Sequence, residues 1–291
     1  IIVDDNSGDS TFQAASGFSH TGIKKVIRNR GTGKKTAIRT GIEDSAGELI
    51  ITIDADCRIE RTFLETLSSF YSGNRPEMII CPVELESGRG FFHRFQELEF
   101  LSLQGVTAGS ALCGDPVMCN GAGLAFTRES YFRHSGDLHY ELASGDDIFL
   151  LHSIKKESPE KISWIESEGV KVTTQQAVSL ASFIRQRARW ISKTGHYRDT
   201  SAKVLAIVTF VTILIQLAIL GAGIFYPSML IVFGAFVALK SVPDFLILHN
   251  TATRYKKRNL LPWFLPSQLI YPFYVTAIVL SAFFTKRTTE F

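Results

Sequence analysis

A run of 23 residues without a single charge, Val204 to Tyr226, sets the strongest limit on what this chain can become. It is long enough to cross a bilayer, and a lone segment in hydrocarbon satisfies all its backbone groups only as a helix. Two more apolar stretches follow, so spans are expected at 204–226, 228–248 and 267–285. The second is interrupted by Lys240, Pro243 and Asp244. Lys240 and Asp244, four residues apart, can pair on one helix face, which lowers the cost of placing them in lipid. Trp263, Tyr271 and Tyr274 suit the interfacial aromatic belt. The connection holding Arg254, Lys256, Lys257 and Arg258 is expected to be cytoplasmic, and the part before residue 200, two spans away, with it. Three spans then leave Lys286 and Arg287 on the far side, against the same rule, unless the third segment is re-entrant or interfacial.

Up to about Lys203 the chain reads as a soluble α/β protein. The 45% hydrophobic content is therefore unevenly spread, and the net charge of +3, on 31 basic and 28 acidic residues, is too balanced for a nucleic-acid partner. Cys57, Cys81, Cys113 and Cys119 form no C-x-x-C pair and have no histidine at zinc-finger spacing, so neither a disulfide framework nor a structural metal is indicated. The chain opens at Ile1, inside a strand and without Met or a signal peptide. An amino-terminal truncation is the expectation.

Leu49 to Ile53 is a short apolar, β-branched run of the kind found in a strand buried on both faces. It leads directly into Asp54-Ala55-Asp56, so two carboxylates stand at a strand's carboxyl end, where open α/β sheets bind ligands. Together they can share a hard divalent cation, which can in turn hold a diphosphate. An acidic turn or helix cap is the competing account. Ile1 to Val3, followed by Asp4-Asp5-Asn6-Ser7, repeats the strand-then-acid pattern and puts Asp4 and Asp5 at the same sheet edge. Phe12 to Phe18 is expected to be a helix and Lys25 to Ile27 a strand.

The glycine turn at Gly31 and Gly33 is not a Walker loop. Arg28 stands where that motif needs its first glycine, and Lys35 where it needs a magnesium-binding hydroxyl. What remains is a turn into a helix, Thr36 to Asp44, with Lys34 and Lys35 at its amino end, suited to a phosphate or simply to water. Thr62 to Tyr71 has helical spacing and Met78 to Val83 reads as a buried strand. Gly90 to Leu103 could lie on a membrane surface or pack against the sheet. The glycine-rich Cys119 to Phe126, with Asn120 and Gly121, suggests close approach of backbone to a ligand, or a plain bulge. Gly145-Asp146-Asp147 opens an apolar helix; the pair can cap it, or abstract a proton, since repulsion and burial raise a carboxylate's proton affinity. Phe183 to Trp190 carries Arg185, Arg187 and Arg189 on a helix whose position would also let it grip anionic lipid.

Taken in order, Asp4-Asp5, Asp54-x-Asp56, Gly145-Asp146-Asp147 and Gln186-x-x-Arg189-Trp190, followed by apolar spans, resemble the membrane-integrated glycosyltransferases of family 2. Cellulose, chitin and hyaluronan synthases belong to that group. The resemblance implies a GT-A fold, that is, a mostly parallel nucleotide-sugar-binding sheet with flanking helices in residues 1–200, ahead of transmembrane helices in 201–291. It further implies an inverting transferase at an inner or plasma membrane, using Mg2+ or Mn2+. The donor would be a nucleotide sugar, UDP-linked ahead of GDP-linked, and the acceptor a polysaccharide or a lipid-linked molecule. Carried over residue by residue, Asp4 and Asp5 would meet the nucleoside, with Lys34, from its place at the helix start, on the same donor. Asp54 and Asp56 would hold nucleotide and metal, with Asp56 the direct ligand. Asp147, beside Asp146, matches the catalytic base. Gln186, Arg189 and Trp190 match the motif that lines the acceptor and diphosphate site, where Asn120 and Gly121 of the glycine-rich turn are expected as well. Two departures stand out: the family's first strand, ahead of Ile1, is missing, and Ser-Gly-Asp-Asp replaces Thr-Glu-Asp. A non-catalytic, membrane-anchored subunit that binds nucleotide sugars is the reading from another class, and a nucleotide hydrolase a third.

Overall fold

The computed structural model describes residues 1–18, 22, 25–142 and 144–288. The chain begins β1 (Ile2–Asp4), α1 (Thr11–Gly17), β2 (Val26–Arg28), α2 (Lys34–Glu43), β3 (Leu49–Thr52), β4 (Arg58–Ile59), α3 (Phe63–Asn74), β5 (Met78–Ile80) and β6 (Val83–Leu85). It continues α4 (Phe91–Leu112), β7 (Leu124–Thr127), α5 (Arg128–His134), α6 (Asp146–Glu157), β8 (Ile162–Trp164), β9 (Val172–Thr174) and α7 (Leu180–Ser192). Three long apolar helices complete it: α8 (Thr200–Phe225), α9 (Met229–Arg254) and α10 (Phe264–Thr288).

Among the described residues the strands form three sheets: β1-β2, β3-β7-β5-β8 and β4-β9-β6. They are mixed rather than mostly parallel. β1-β2, β5-β8 and β6-β9 run parallel, whereas β7 lies antiparallel to both β3 and β5, and β4 to β9. The cause is α4, which carries the chain across and returns it through residues 113–123 to enter the sheet from the opposite end. The expected single strand from Met78 to Val83 is two short ones, because Pro82 has no N–H to continue the ladder. β6 turns into the smaller sheet beside β9.

The inner strands β5 and β7 are buried on both faces, whereas β3, expected to be so buried, is a half-buried edge strand paired antiparallel to β7 alone. Met78 and Ile80 point into one cluster with Leu150, Leu151 and Ile154 of α6, while Ile79 and Cys81 point into another with Phe63 and Leu67 of α3. The stretch expected from Gly90 to Leu103 runs on to Leu112 and packs inward. Gln104 Oε1 accepts from the Val83 N–H at 3.0 Å, and Leu98 and Leu101 join Leu248 and Ala252 of α9 in a further cluster. A Cβ at Gly105 would stand 2.5 Å from Thr251 Oγ1 and 2.7 Å from Ile247 Cγ2, so α4 and α9 cross where no side chain fits. α8, α9 and the segment Arg258–Phe283 are each long and apolar enough to cross a membrane.

Candidate active site

β3 ends at Thr52, whose hydroxyl donates to the carbonyls of Leu124, at 3.3 Å, and Gly121, at 3.5 Å. This fastens the glycine-rich turn before β7 beside the strand end that carries Asp54 and Asp56. Gly121 in turn donates its N–H to Asp147 Oδ2 at 3.0 Å. Asp147 Oδ1 accepts from the Ile148 N–H at 2.8 Å and lies 3.7 Å from Lys193 Nζ. The residue ahead of this acidic pair has to be glycine. Gly145 has φ +96°, and a Cβ there would stand 2.7 Å from the Phe149 ring and 3.0 Å from the Lys193 side chain.

Lys34 joins the two acidic motifs. Its Nζ lies 2.6 Å from Asp54 Oδ1, and Asp146, Asp54 and Asp147 together hold its ammonium charged above the usual lysine range, against the burial that opposes them. Lys35, next along α2, also feels the Asp146 charge, but its ammonium is held elsewhere. It is buried and donates to the carbonyls of Leu138 and His139 at 2.7 and 2.6 Å, so of the two lysines only Lys34 is available to an anion.

The environments of Asp146 and Asp147 diverge. Burial, reinforced by the neighbouring Asp147 charge, pushes the Asp146 carboxyl up. Burial also pushes Asp147 up, but Lys193, Lys34 and the N–H groups of Ile148 and Gly121 outweigh it and hold that carboxyl below its ordinary value.

Beside Lys34, Asp5 accepts from the Gly33 N–H at 2.9 and 3.1 Å and from Asn29 Nδ2 at 2.6 Å, tying β1 to the turn that opens α2. Asp4 is buried. Its Oδ2 accepts from the Ser7 N–H at 3.1 Å, while Oδ1 has no hydrogen-bond partner among the described residues.

Asp56 is exposed and makes no ion pair among the described residues, although the thiol of Cys57 lies 3.6 Å from its Oδ1. No cluster of three or more His, Cys, Asp or Glu among the described residues is placed to hold a metal. Asp54 and Asp56 nevertheless offer an all-oxygen, part-exposed pair of the type hard cations prefer. Such a pair fits Mg2+ or Mn2+ when ligand oxygens and water complete the shell, and Lys34 then competes for Asp54.

On α7, Trp190 packs against the cluster containing Ala122, the residue after Gly121. Gln186 Oε1 accepts from Arg187 Nη1 at 2.7 Å, whereas Arg189 is exposed with no ion pair among the described residues. Sequence reasoning passed over the residue that organises this helix. Arg187 is buried, donates to both Glu99 oxygens at 3.0 and 2.6 Å, and lies 4.1 Å from the Trp190 ring centroid. Lys193 and Asn29 were missed as well, because each acts through a partner distant in sequence. A cavity of about 250 Å3 lies between α6 and the foot of α8, lined by His139, Phe149, His152, Lys156, His196 and Arg198 among others and by none of the candidate site residues.

Comparison with known proteins bears on the family and the fold. Residues 1–136 match the model of the glycosyl transferase family 2. An undecaprenyl-phosphate 4-deoxy-4-formamido-L-arabinose transferase of Pseudomonas aeruginosa is 42% identical over 59 residues, 19% of this chain and 17% of that protein's own length. The glycosyltransferase AglE of Haloferax volcanii is 30% identical over 92 residues, covering 31% of this chain and 30% of its own. Among solved structures, the mannosyltransferase PcManGT from Pyrobaculum calidifontis, in complex with GDP-Man and Mn2+, superposes over 98% of this chain and 77% of its own with TM-score 0.53 and 18% identity, a likeness of fold. Residues 1–136 thus match the glycosyl transferase family 2 model, on a GT-A fold that leads into three long apolar helices.

Proposed function

We propose that this chain transfers a sugar from a nucleotide-sugar donor to an acceptor held at a membrane, with inversion at the anomeric carbon and with help from a divalent cation. The observation that carries the reading is Lys34. It pairs with Asp54 just beyond β3 and feels the charges of Asp146 and Asp147, while Gly121 accepts from Thr52 of β3 and donates to Asp147 at the start of α6, which supports a common site for the two acidic motifs.

The roles follow from the chemistry. A sugar hydroxyl is a poor nucleophile, so a positioned carboxylate must take its proton as attack proceeds. Asp147 is the proposed base, since its two backbone donors fix its direction and its surroundings keep it ionised. Asp146 is the second candidate, favoured by its raised proton affinity. Asp54 and Asp56 would hold the cation, whose chemistry is to neutralise charge on the donor's diphosphate. Lys34 meets the same phosphates. The unpaired Asp4 oxygen and the neighbouring Asp5 suit a donor N–H or hydroxyl of the nucleoside. Trp190 offers an apolar face to a pyranose ring, and Gln186 and Arg189 border it. The apolar helices, and the relative that acts on undecaprenyl phosphate, support a lipid-linked acceptor ahead of a polysaccharide.

Membranes containing the chain, given labelled UDP- and GDP-sugars, should pass label to a lipid or polymer fraction. A discrete glycolipid would end the polymerase reading. Diphosphate release that needs no acceptor would instead indicate a hydrolase.

A further inference from the structure

The cavity between α6 and the foot of α8 has a chemistry of its own. Its volume of about 250 Å3 falls just under the roughly 300 Å3 at which pockets for drug-sized ligands begin, so it suits a small polar group. Three segments wall it: His139 ahead of α6, the face of α6 from Phe149 to Lys156, and residues 196–200, which run from α7 into α8.

Charge in these walls does not balance. The two carboxylates that line the cavity are both engaged. Asp137 accepts from the Ser153 hydroxyl at 2.7 Å. Asp199 caps α8 by accepting from the Ala202 N–H at 2.7 Å, and its other oxygen lies 2.7 Å from Lys155 Nζ, which pairs with Asp115 as well. Lys155 is thereby committed, but Lys156 and Arg198 are exposed and have no ion pair among the described residues. Three imidazoles stand with them. His139 is hydrogen-bonded to Glu141 at 2.8 Å. His152 donates from Nε2 to the Val117 carbonyl at 3.2 Å, which leaves the lone pair of a neutral ring on Nδ1. That nitrogen is buried without a hydrogen-bond partner among the described residues, and so is Nδ1 of His196. A buried nitrogen of this kind costs free energy until a hydroxyl donates to it, or until a proton lets it donate to an oxyanion.

The place of the cavity says which anion would fill it. Thr200, in its wall, is the first residue of α8, which is long and apolar enough to cross a membrane. Large exposed apolar side chains begin at Val204, about 6 Å further along the helix, and Lys203 is exposed just before them. With α8 in a bilayer the cavity stands at the level of the headgroups, where basic pockets beside membrane helices bind anionic lipids.

We propose that this cavity binds the phosphate of an anionic membrane lipid, with Lys156 and Arg198 pairing with the phosphate and His152 and His196 meeting the remaining oxygens or hydroxyls of the headgroup. The occupant is a lipid of the surrounding bilayer, because the free cations stand at the foot of a membrane-length helix. The site shares no residue with the one proposed for transfer, although α6 serves both, with Asp146 and Asp147 at its start and the cavity along its later turns.

The test uses the purified full chain in a neutral detergent, without donor, titrated by calorimetry with short-chain phosphatidylglycerol, short-chain phosphatidylcholine and inorganic phosphate. Phosphatidylglycerol should bind saturably, and the other two more weakly by about tenfold or more, the worth of a charge-assisted hydrogen bond. Lys156→Gln with Arg198→Gln should weaken phosphatidylglycerol by a similar factor. Arg61→Gln with Lys161→Gln removes the same charge from exposed positions outside the cavity and should bind as the parent does. Phosphatidylcholine or inorganic phosphate binding as tightly as phosphatidylglycerol overturns the anionic-lipid assignment. No saturable binding, a cavity variant that binds like the parent, or a control pair that loses as much overturns the site itself.

Discussion

Arg187 and Trp190, three residues apart on α7, are stacked with the guanidinium carbon 4.1 Å from the ring centroid. The same guanidinium donates to both oxygens of Glu99 on α4, and Tyr274 of α10 donates to Glu99 as well. The aromatic face proposed for the acceptor is therefore held by three helices at once. Removing one partner of such a buried pair strands the other charge and costs about 3–5 kcal/mol. Arg187→Ala should destabilise the chain by about that much in denaturant titrations in detergent. Changing Arg187 and Glu99 together to Met and Leu should recover most of the loss, and a single Arg187→Ala as stable as the parent would sink the assignment.

The adjacent lysines of α2 should behave differently. Lys34 and Asp54 are both part-exposed, so their pair adds about 1 kcal/mol or less to stability. Lys34→Met should leave the melting temperature nearly unchanged and weaken donor binding roughly tenfold or more, the worth of a charge-assisted hydrogen bond of about 1.5–3 kcal/mol. Lys35→Met should do the reverse, destabilising by about 1–3 kcal/mol for each of the two carbonyls left unpaired. Donor titration and thermal melts on the two variants separate the roles.

Asp147→Asn should lower transfer by about 10²–10⁴-fold, the usual contribution of a positioned base, with donor affinity retained. Asp146→Asn should cost less. If the order is inverted, the base is Asp146; if neither matters, the pair only caps α6.

Proton linkage can be read on the same residues. Asp146 has a raised folded-state value, so in the pH interval between its unfolded and folded values the folded chain holds more proton, and stability falls as pH rises through that interval. Asp146→Asn removes this decline and should melt higher than the parent above the ordinary carboxylate range, but not below it. Asp147 has the opposite sign: the stability it contributes is present above its unfolded value and is lost only as pH falls through the lower folded one. Lys193→Met takes away the foremost influence holding it down, and should move the acid limb of kcat/KM to higher pH.

Chelation should abolish transfer, and Mg2+ or Mn2+ should restore it, if Asp54 and Asp56 hold a cation. Asp56→Asn should then raise the metal concentration needed for half-maximal rate by about tenfold or more, while melts without metal stay close to the parent, because Asp56 is exposed and makes no ion pair among the described residues.

How much was legible in advance followed from the range of the forces involved. Periodicity and apolar length are local, so the strand ahead of Asp54, the helix behind Gly145 and the three apolar helices were all readable along the chain, within a few residues at their ends. Chemically distinctive residue types in a set order were enough to suggest the family. Tertiary structure alone decided which way β7 runs, that Lys34 rather than Lys35 pairs with Asp54, that Asp146 and Asp147 diverge, and that Arg187 supports Trp190. Each of these depends on a partner dozens of residues away, such as Glu99, 88 positions before Arg187, or Leu138, 103 beyond Lys35. Hydropathy records that a segment avoids water but not what it packs against, so 267–285 reads as a span along the chain, which its length and composition in the structure still allow, while its packing on α7 shows only in space.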